Sequence, residues 1–158
     1  MDVDFKIFKI NSLYFRDQPA IAAEADLKSD RVYLGVVIAI GGNNCFVPFE
    51  TKLKDNALLR RYSQWPVPSS TRPEAGLNFE KCLIINNFEY LTLIENPQIA
   101  NSQKREINKN KASIKAKLNR YITNYINAYN KDRHLKEFIF KFTTLHCFHK
   151  ELGLTQGK

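Results

Sequence analysis

The longest near-continuous apolar stretch, RVYLGVVIAI from Arg31 to Ile40, is rich in β-branched residues and predicts a strand buried on both faces. Gly41-Gly42-Asn43-Asn44 tolerates positive φ and predicts a hairpin turn. Cys45–Phe49 then returns as the partner strand, with Pro48 marking its end. Upstream, Asp4–Ile10 predicts an edge strand: Phe5 and Ile7 share one face and Phe8 and Ile10 the other, an imperfect alternation that leaves the register open. Asn11–Asp17 reads as a turn or short irregular stretch, Pro19 restricts Gln18 to extended geometry, and Ala20–Leu27 could form two turns of helix. Leu53–Pro73 is mostly polar, and Pro66, Pro68 and Pro73 around Ser69, Ser70 and Thr71 predict a long surface loop. Trp65, the only tryptophan, is either the packing anchor of that loop or a base-stacking platform. Lys81–Ile85 and Glu89–Ile94 predict two more strands about a turn at Asn86-Asn87.

Beyond Pro97 the period changes from two to nearly four. Ile107, Ile114, Leu118, Tyr121, Ile122, Tyr125, Ile126 and Tyr129 predict one amphipathic helix from about Gln103 to Tyr129. Its other face carries Lys104, Arg105, Lys109, Lys111, Lys115, Lys117 and Arg120. Phe138–Phe142 predicts a last strand, and Thr143 or Thr144 can cap a short helix ending at Gly153. The sum is an α+β fold in a single domain over 1–158: a small twisted antiparallel sheet (a partial barrel), a long basic helix and a short C-terminal helix. No repeat, low-complexity tract or heptad pattern interrupts it.

Composition narrows the function. No apolar run approaches the roughly 20 residues that span a bilayer, and MDVDFKIFKI has no signal-peptide core, so a cytoplasmic protein without a membrane partner is expected. Cys45, Cys82 and Cys147 are scattered among apolar neighbours and read as buried free thiols. The net charge of +8 is unevenly held. Asn101–Lys150 carries twelve basic and three acidic residues, whereas the rest carries twelve against thirteen. A basic region of this kind points to a polyanionic partner or to a solvated lysine-rich face.

Familiar catalytic spacings are missing: no nucleophile elbow, no phosphate-binding glycine loop, no HExxH. His134, His146 and His149 have no acidic cluster beside them, so neither a metal nor another cofactor is expected. His146 and His149, three apart, could share a helix face for packing or for catalysis. His146 precedes Cys147, but adjacent residues on a helix point in different directions, which argues against a thiol mechanism. The cations and hydroxyls of the hairpin remain. Arg31 opens the long strand, and Thr51, Lys52 and Lys54 follow the end of its partner. An antiparallel hairpin sets the start of one strand beside the end of the other. Fixed cations flanking a hydroxyl suit phosphoryl transfer, where preorganised donors stabilise charge on the non-bridging oxygens. In RNA the adjacent 2′-OH is an internal nucleophile, so neither metal nor activated water is required. The same lysines also read as ordinary surface charge.

At these residues the chain resembles the type III toxin–antitoxin endoribonucleases, the ToxN/AbiQ superfamily, and within it the TenpN group. RVYLGVVIAIGGNNCFVPF is similar to the family's central hairpin, and PFETKLK to its proline–apolar–x–Ser/Thr–x–x–Lys stretch. GLNFEKCLII (Gly76–Ile85) resembles the group's glycine–leucine–aspartate–aromatic–x–lysine strand, and FTTLHCFHKELGL (Phe142–Leu154) its C-terminal signature. The resemblance implies catalytic roles for Thr51, Lys54 and Arg31, with Lys52 as an alternative to Lys54. Tyr14 would match an N-terminal tyrosine lining the site. Lys81 and His149 fall in the other matching stretches and, with Lys52, Lys104, Lys111 and Lys115, complete the set expected to touch RNA. Thr51 replaces the commoner serine, Asn78 stands where the family pattern has an acid, and Glu50 is expected to point away from a bound phosphate. The implied activity is metal-independent, sequence-selective RNA cleavage leaving a 2′,3′-cyclic phosphate. The implied partners are a repeated small antitoxin RNA, processed by the toxin in a hetero-oligomeric toxin–RNA assembly, and cellular or phage RNA as substrate. The competing readings are a non-catalytic RNA-binding protein using the same basic surface, and a protein-interaction domain whose lysines only solubilise it.

Overall fold

Strand β2 (Leu34–Ile40) and strand β3 (Asn43–Glu50) pair antiparallel from Gly35↔Pro48 to Ile40↔Asn43 and form the frame of the molecule. The computed structural model describes residues 4–154. The first three residues of the MDVDFKIFKI stretch and residues 155–158 lie outside the described residues. The hairpin turn is Gly41-Gly42, with φ of 55° and 83°, so Asn43 and Asn44 belong to the return strand rather than to the turn. Two successive positive φ values match the strand twist that hairpins require. β3 also runs through Pro48 to Glu50, because beyond its last pair with β2 it goes on to pair with Gly76–Asn78, at Phe49↔Leu77 and Glu50↔Gly76.

Gly35 is demanded by packing. A Cβ there would stand 2.5 Å from the Val47 carbonyl and 2.7 Å from the Phe46 ring. Phe46, Val36, Val37, Ile38, Cys45 and Val47 are all essentially buried, as the continuous apolar pattern requires.

Strand β1 (Ile7–Ile10) pairs with β2 on one side and with β7 (Leu91–Leu93) on the other, so β7 and not β1 is the edge. β3 shares its far edge between β6 (Leu83–Ile84) near its start and β5 (Gly76–Asn78) near its end. β4 (Gln64–Pro66) completes a seven-stranded antiparallel sheet, and the fold is α+β as expected.

Several local expectations need correction. Asn11–Asp17 is no turn: Asn11 caps helix α1 (Ser12–Asp17), its side chain accepting from the Leu13 N–H, and α2 (Pro19–Glu24) follows. The polar 53–73 stretch contains helix α3 (Ala57–Ser63), capped by Asn56, and β4. Trp65 within it is an anchor, its indole N–H donating to Glu106 Oε2 at 3.3 Å. The long helix is two, α4 (Asn101–Lys109) and α5 (Lys111–Asn130). Asn110 breaks it by donating its amide to the Glu106 carbonyl and carboxylate, both at 2.8 Å, in competition with the backbone ladder. Phe138–Phe140 is a 3₁₀ turn and not a strand, since Phe140 serves the core as a plug between Tyr121 and Tyr125. The expected C-terminal helix is a single 3₁₀ turn, Thr144–Cys147, capped by Thr143.

Ile114, Leu118, Tyr121, Ile122 and Tyr125 of α5 join the strands in one hydrophobic cluster. Gly35→Ala should lower stability by about 1–3 kcal/mol, the usual penalty of overpacking, seen as a reduced urea midpoint at unchanged slope. An unshifted midpoint would show that β2 and β3 are not held as tightly as their spacing implies.

Candidate functional site

The last ladder pair of the hairpin, Gly35↔Pro48, leaves the entry to β2 and the exit from β3 side by side. A cavity of about 450 Å³ opens there, lined by Arg31, Tyr33, Glu50, Thr51, Lys52 and Lys81, with Phe46 and Leu83 among its apolar walls. Lys81 arrives from the far edge of β3. Between β5 and β6 the Asn78 side chain accepts the Glu80 N–H at 3.0 Å, and the chain leaves the ladder as a 3₁₀ turn over Phe79–Lys81. That turn buries the Glu80 carboxylate and exposes Lys81 to the cavity.

Thr51 and Arg31 therefore share one cavity with Lys52 and Lys81, and Lys54 does not. Buried Leu53 turns the exit chain away, and its N–H donates to the Glu74 carbonyl. Lys54 Nζ instead lies 3.7 Å from Glu80 Oε1 and 4.8 Å from the centre of the Phe142 ring. Lys52 pairs with Glu74 at 3.7 Å on the surface, and Lys81 Nζ donates to the Phe142 carbonyl at 3.3 Å. Among the described residues the Arg31 guanidinium has no carboxylate partner, which leaves it open to an anion. Glu50, expected to face away, belongs to the cavity wall, with its Oε1 accepting from Asn78 Nδ2 at 3.1 Å.

The remaining predicted RNA contacts scatter. Tyr14 is 2 % exposed and packs edge-on to Tyr90, in the core and away from the cavity; burial holds its hydroxyl well above the usual tyrosine range. It lines a separate small cleft with Gln18, Ile21 and Tyr90. Lys104 lines a different cleft beside Phe5 and Lys6, Lys111 lies 5.9 Å from the Phe5 ring, and Lys115 pairs with Asp4 at 3.3 Å. Lys117 donates to the carbonyls of Arg60 and Gln64, and partial burial lowers its pKa.

His149 belongs to a network that periodicity did not reveal, because half of it comes from α5. Tyr125 Oη lies 2.7 Å from His146 Nδ1 and 2.6 Å from His149 Nε2. His146 Nε2 is 2.8 Å from the Phe140 carbonyl, which can only accept. His146 therefore carries its proton on Nε2 and accepts at Nδ1 from the Tyr125 hydroxyl. A hydroxyl has one proton to give, so His149 must donate from Nε2 to Tyr125. The order of donors runs from His149 through Tyr125 and His146 to Phe140. His134 packs at steep angles within 5.9 Å of both other imidazoles and 4.7 Å from Tyr129, with a buried Nδ1 that finds no partner among the described residues. Burial, then mutual repulsion, lowers the pKa of His149; burial lowers that of His146, against the Phe140 carbonyl and the Glu24 carboxylate.

Burial pushes the Cys45 thiol up to about 12, and likewise that of Cys147, whose Sγ donates to Glu24 at 3.0 Å. Neither is an activated nucleophile. Among the described residues no group of three or more His, Cys, Asp or Glu side chains is arranged to hold a metal ion, and no helix is long and apolar enough to cross a membrane.

No family model matches the sequence, and no curated protein matches it. Solved structures do. One, described as "A processed non-coding RNA regulates a bacterial antiviral system", superposes with a TM-score of 0.58 at 14% identity, over 91% of this chain and 98% of that one. A second, described as "New insights into the mechanism of bacterial Type III toxin-antitoxin systems: selective toxin inhibition by a non-coding RNA pseudoknot", gives a TM-score of 0.44 at 12% identity, over 95% and 98%. The first likeness spans nearly the whole of both chains and shows a common fold.

The histidine network carries a pH dependence of known sign. Histidines of lowered native pKa are neutral in the fold but take up protons when unfolded, at about 6.5. Their contribution is complete above that value and is lost as pH falls towards the native pKa values. Melting temperature should fall between pH 7.5 and 5, and a His146→Asn, His149→Asn double variant should start lower and fall less. An equal slope in both would place the titration elsewhere.

Proposed function

We propose that the chain is the toxin of a type III toxin–antitoxin system, a metal-independent endoribonuclease acting by 2′-OH attack. The observation that supports this best is the gathering of Arg31, Thr51, Lys52 and Lys81 in one cavity at the open end of a rigid hairpin. The fold shared with a structure described in terms of a non-coding RNA and a bacterial antiviral system points the same way.

The scissile phosphate sits in the cavity with its non-bridging oxygens towards Arg31, Lys52 and Lys81, while the Thr51 hydroxyl orients the phosphate or the 2′-OH. The 2′ oxygen bonds to phosphorus as the P–O5′ bond breaks, and the proton lost from the 2′-OH is balanced by the one taken up by the departing 5′ oxygen. The products are a 2′,3′-cyclic phosphate and a 5′-hydroxyl. Cations fixed before the reaction stabilise charge as it grows, without the reorganisation that water would need. Glu50, held by Asn78, limits the net positive field of the cavity and so favours an extended strand threaded past it over a compact polyphosphate. Lys54 acts from the flank, neutralising buried Glu80 behind Lys81. The inhibitor is a repeated small RNA that the enzyme trims and then retains in a toxin–RNA assembly, in the cytoplasm.

The test is incubation with cellular RNA in EDTA, followed by mapping of the new ends. Wild type should give discrete cuts bearing 2′,3′-cyclic phosphate. Arg31→Ala and Lys81→Ala should each lose on the order of 10²-fold in rate, and Thr51→Ser should retain activity that Thr51→Ala loses. Lys54→Ala is a poorer probe, since it also strips the buried Glu80 of its cation. RNA that is bound by wild type yet left intact would replace this reading with a non-catalytic RNA-binding protein.

A further inference from the structure

Phe142 is an aromatic ring kept at the surface among cations, where the core could have taken it. It is 52% exposed, although its neighbours Thr143, Thr144 and Leu145 are buried. Lys54 Nζ lies 4.8 Å and Lys141 Nζ 5.5 Å from its ring centre, and Lys81 Nζ holds its carbonyl at 3.3 Å. Two ammonium groups thus stand over one half-exposed ring while a third holds its backbone carbonyl, and that third, Lys81, also lines the Arg31–Thr51 cavity. Other exposed phenylalanines differ: Phe88 is stacked on Phe8 at 6.3 Å, and no ammonium stands over Phe138 among the described residues.

We infer that Phe142 is a base-stacking platform that seats an unpaired nucleobase of single-stranded RNA beside the cleaved phosphate, an inference that rests on the RNA-cleaving reading above. Every base offers a π-face to an aromatic ring, and stacking of this kind contributes about 5- to 150-fold in affinity per base. An exposed cation–π contact contributes only about 2- to 5-fold. A base therefore displaces the ammonium groups from the ring: Lys141 moves to a neighbouring phosphate, while Lys54 stays with the buried Glu80. Lys81 ties the platform to the cavity, so the seated base and the phosphate beside Thr51 belong to neighbouring nucleotides.

The segment bearing the ring is fixed independently of it. The Thr144 hydroxyl donates to the Cys82 carbonyl, with the Glu80 carbonyl at 3.2 Å, and Thr143 caps the following turn. Phe142→Ala should therefore fold, which its melting temperature checks. Binding is read by fluorescence polarisation of a labelled 2′-O-methyl single-stranded RNA, which has no free nucleophile, and of the same backbone without bases. Phe142→Ala should weaken binding of the base-bearing strand roughly tenfold or more, Phe142→Trp should restore it, and all three proteins should bind the abasic strand equally. An equal loss on both strands would overturn the inference, making the ring a support for Lys54 and Lys81. No loss on either would overturn it too while leaving the RNA reading intact. Wild type that binds neither strand would overturn both.

Discussion

Everything at the candidate site depends on the close approach of β2 and β3 at Gly35. With no side chain there, the Phe46 ring and the Val47 carbonyl lie where a Cβ would otherwise sit, and the two strands stay in register to Pro48. Because side chains alternate along a strand, a slip of one residue would invert every face of both strands. Arg31 and Thr51, twenty positions apart in sequence, are neighbours only because this register is kept.

The interrupted far edge of β3 is the second requirement. β5 and β6 pair with its two ends, and the 3₁₀ turn between them cannot. The backbone leaves the ladder at Asn78, and the result is a buried carboxylate and a half-buried lysine at consecutive positions. Glu80 holds Lys54, and Lys81 joins the cavity and grips Phe142. A buried carboxylate facing a half-exposed ammonium locates the lysine more than it stabilises the fold. Asn78 in place of an acid suits this role, since its amide both caps the turn and holds Glu50.

The basic character of the chain is put to several uses. Lys117 satisfies carbonyls at the end of α3, and Lys115 faces Asp4. These lysines add to the net charge of +8 without standing free for a polyanion. The cations that gather round the cavity are instead Arg31, Lys52 and Lys81, all of which belong to the part of the sequence with no net excess of base. Charge counted along a chain is a count of residues, whereas a binding field depends on where the fold gathers them.

Sequence alone determined the hairpin, the α+β class and the helical region after Pro97. These rest on hydrophobic periodicity and turn chemistry, which act between residues close in the chain. It also set Arg31 and Thr51 at the same end of a hairpin, but whether they converge depended on the register, which only the folded sheet fixed. What local pattern could not supply was any feature made by long-range contact. Phe140 is apolar enough for a strand, but the space between Tyr121 and Tyr125 made it a plug. Asn110 looks tolerable within a helix, yet Glu106 was in reach to break it. Lys54 and Lys52 are equivalent by composition, and only the burial of Leu53 sends one to Glu80 and leaves the other in the cavity. Tyr125 with His146 and His149 is invisible along the chain for the same reason: its members meet only once α5 and the C-terminal segment have packed.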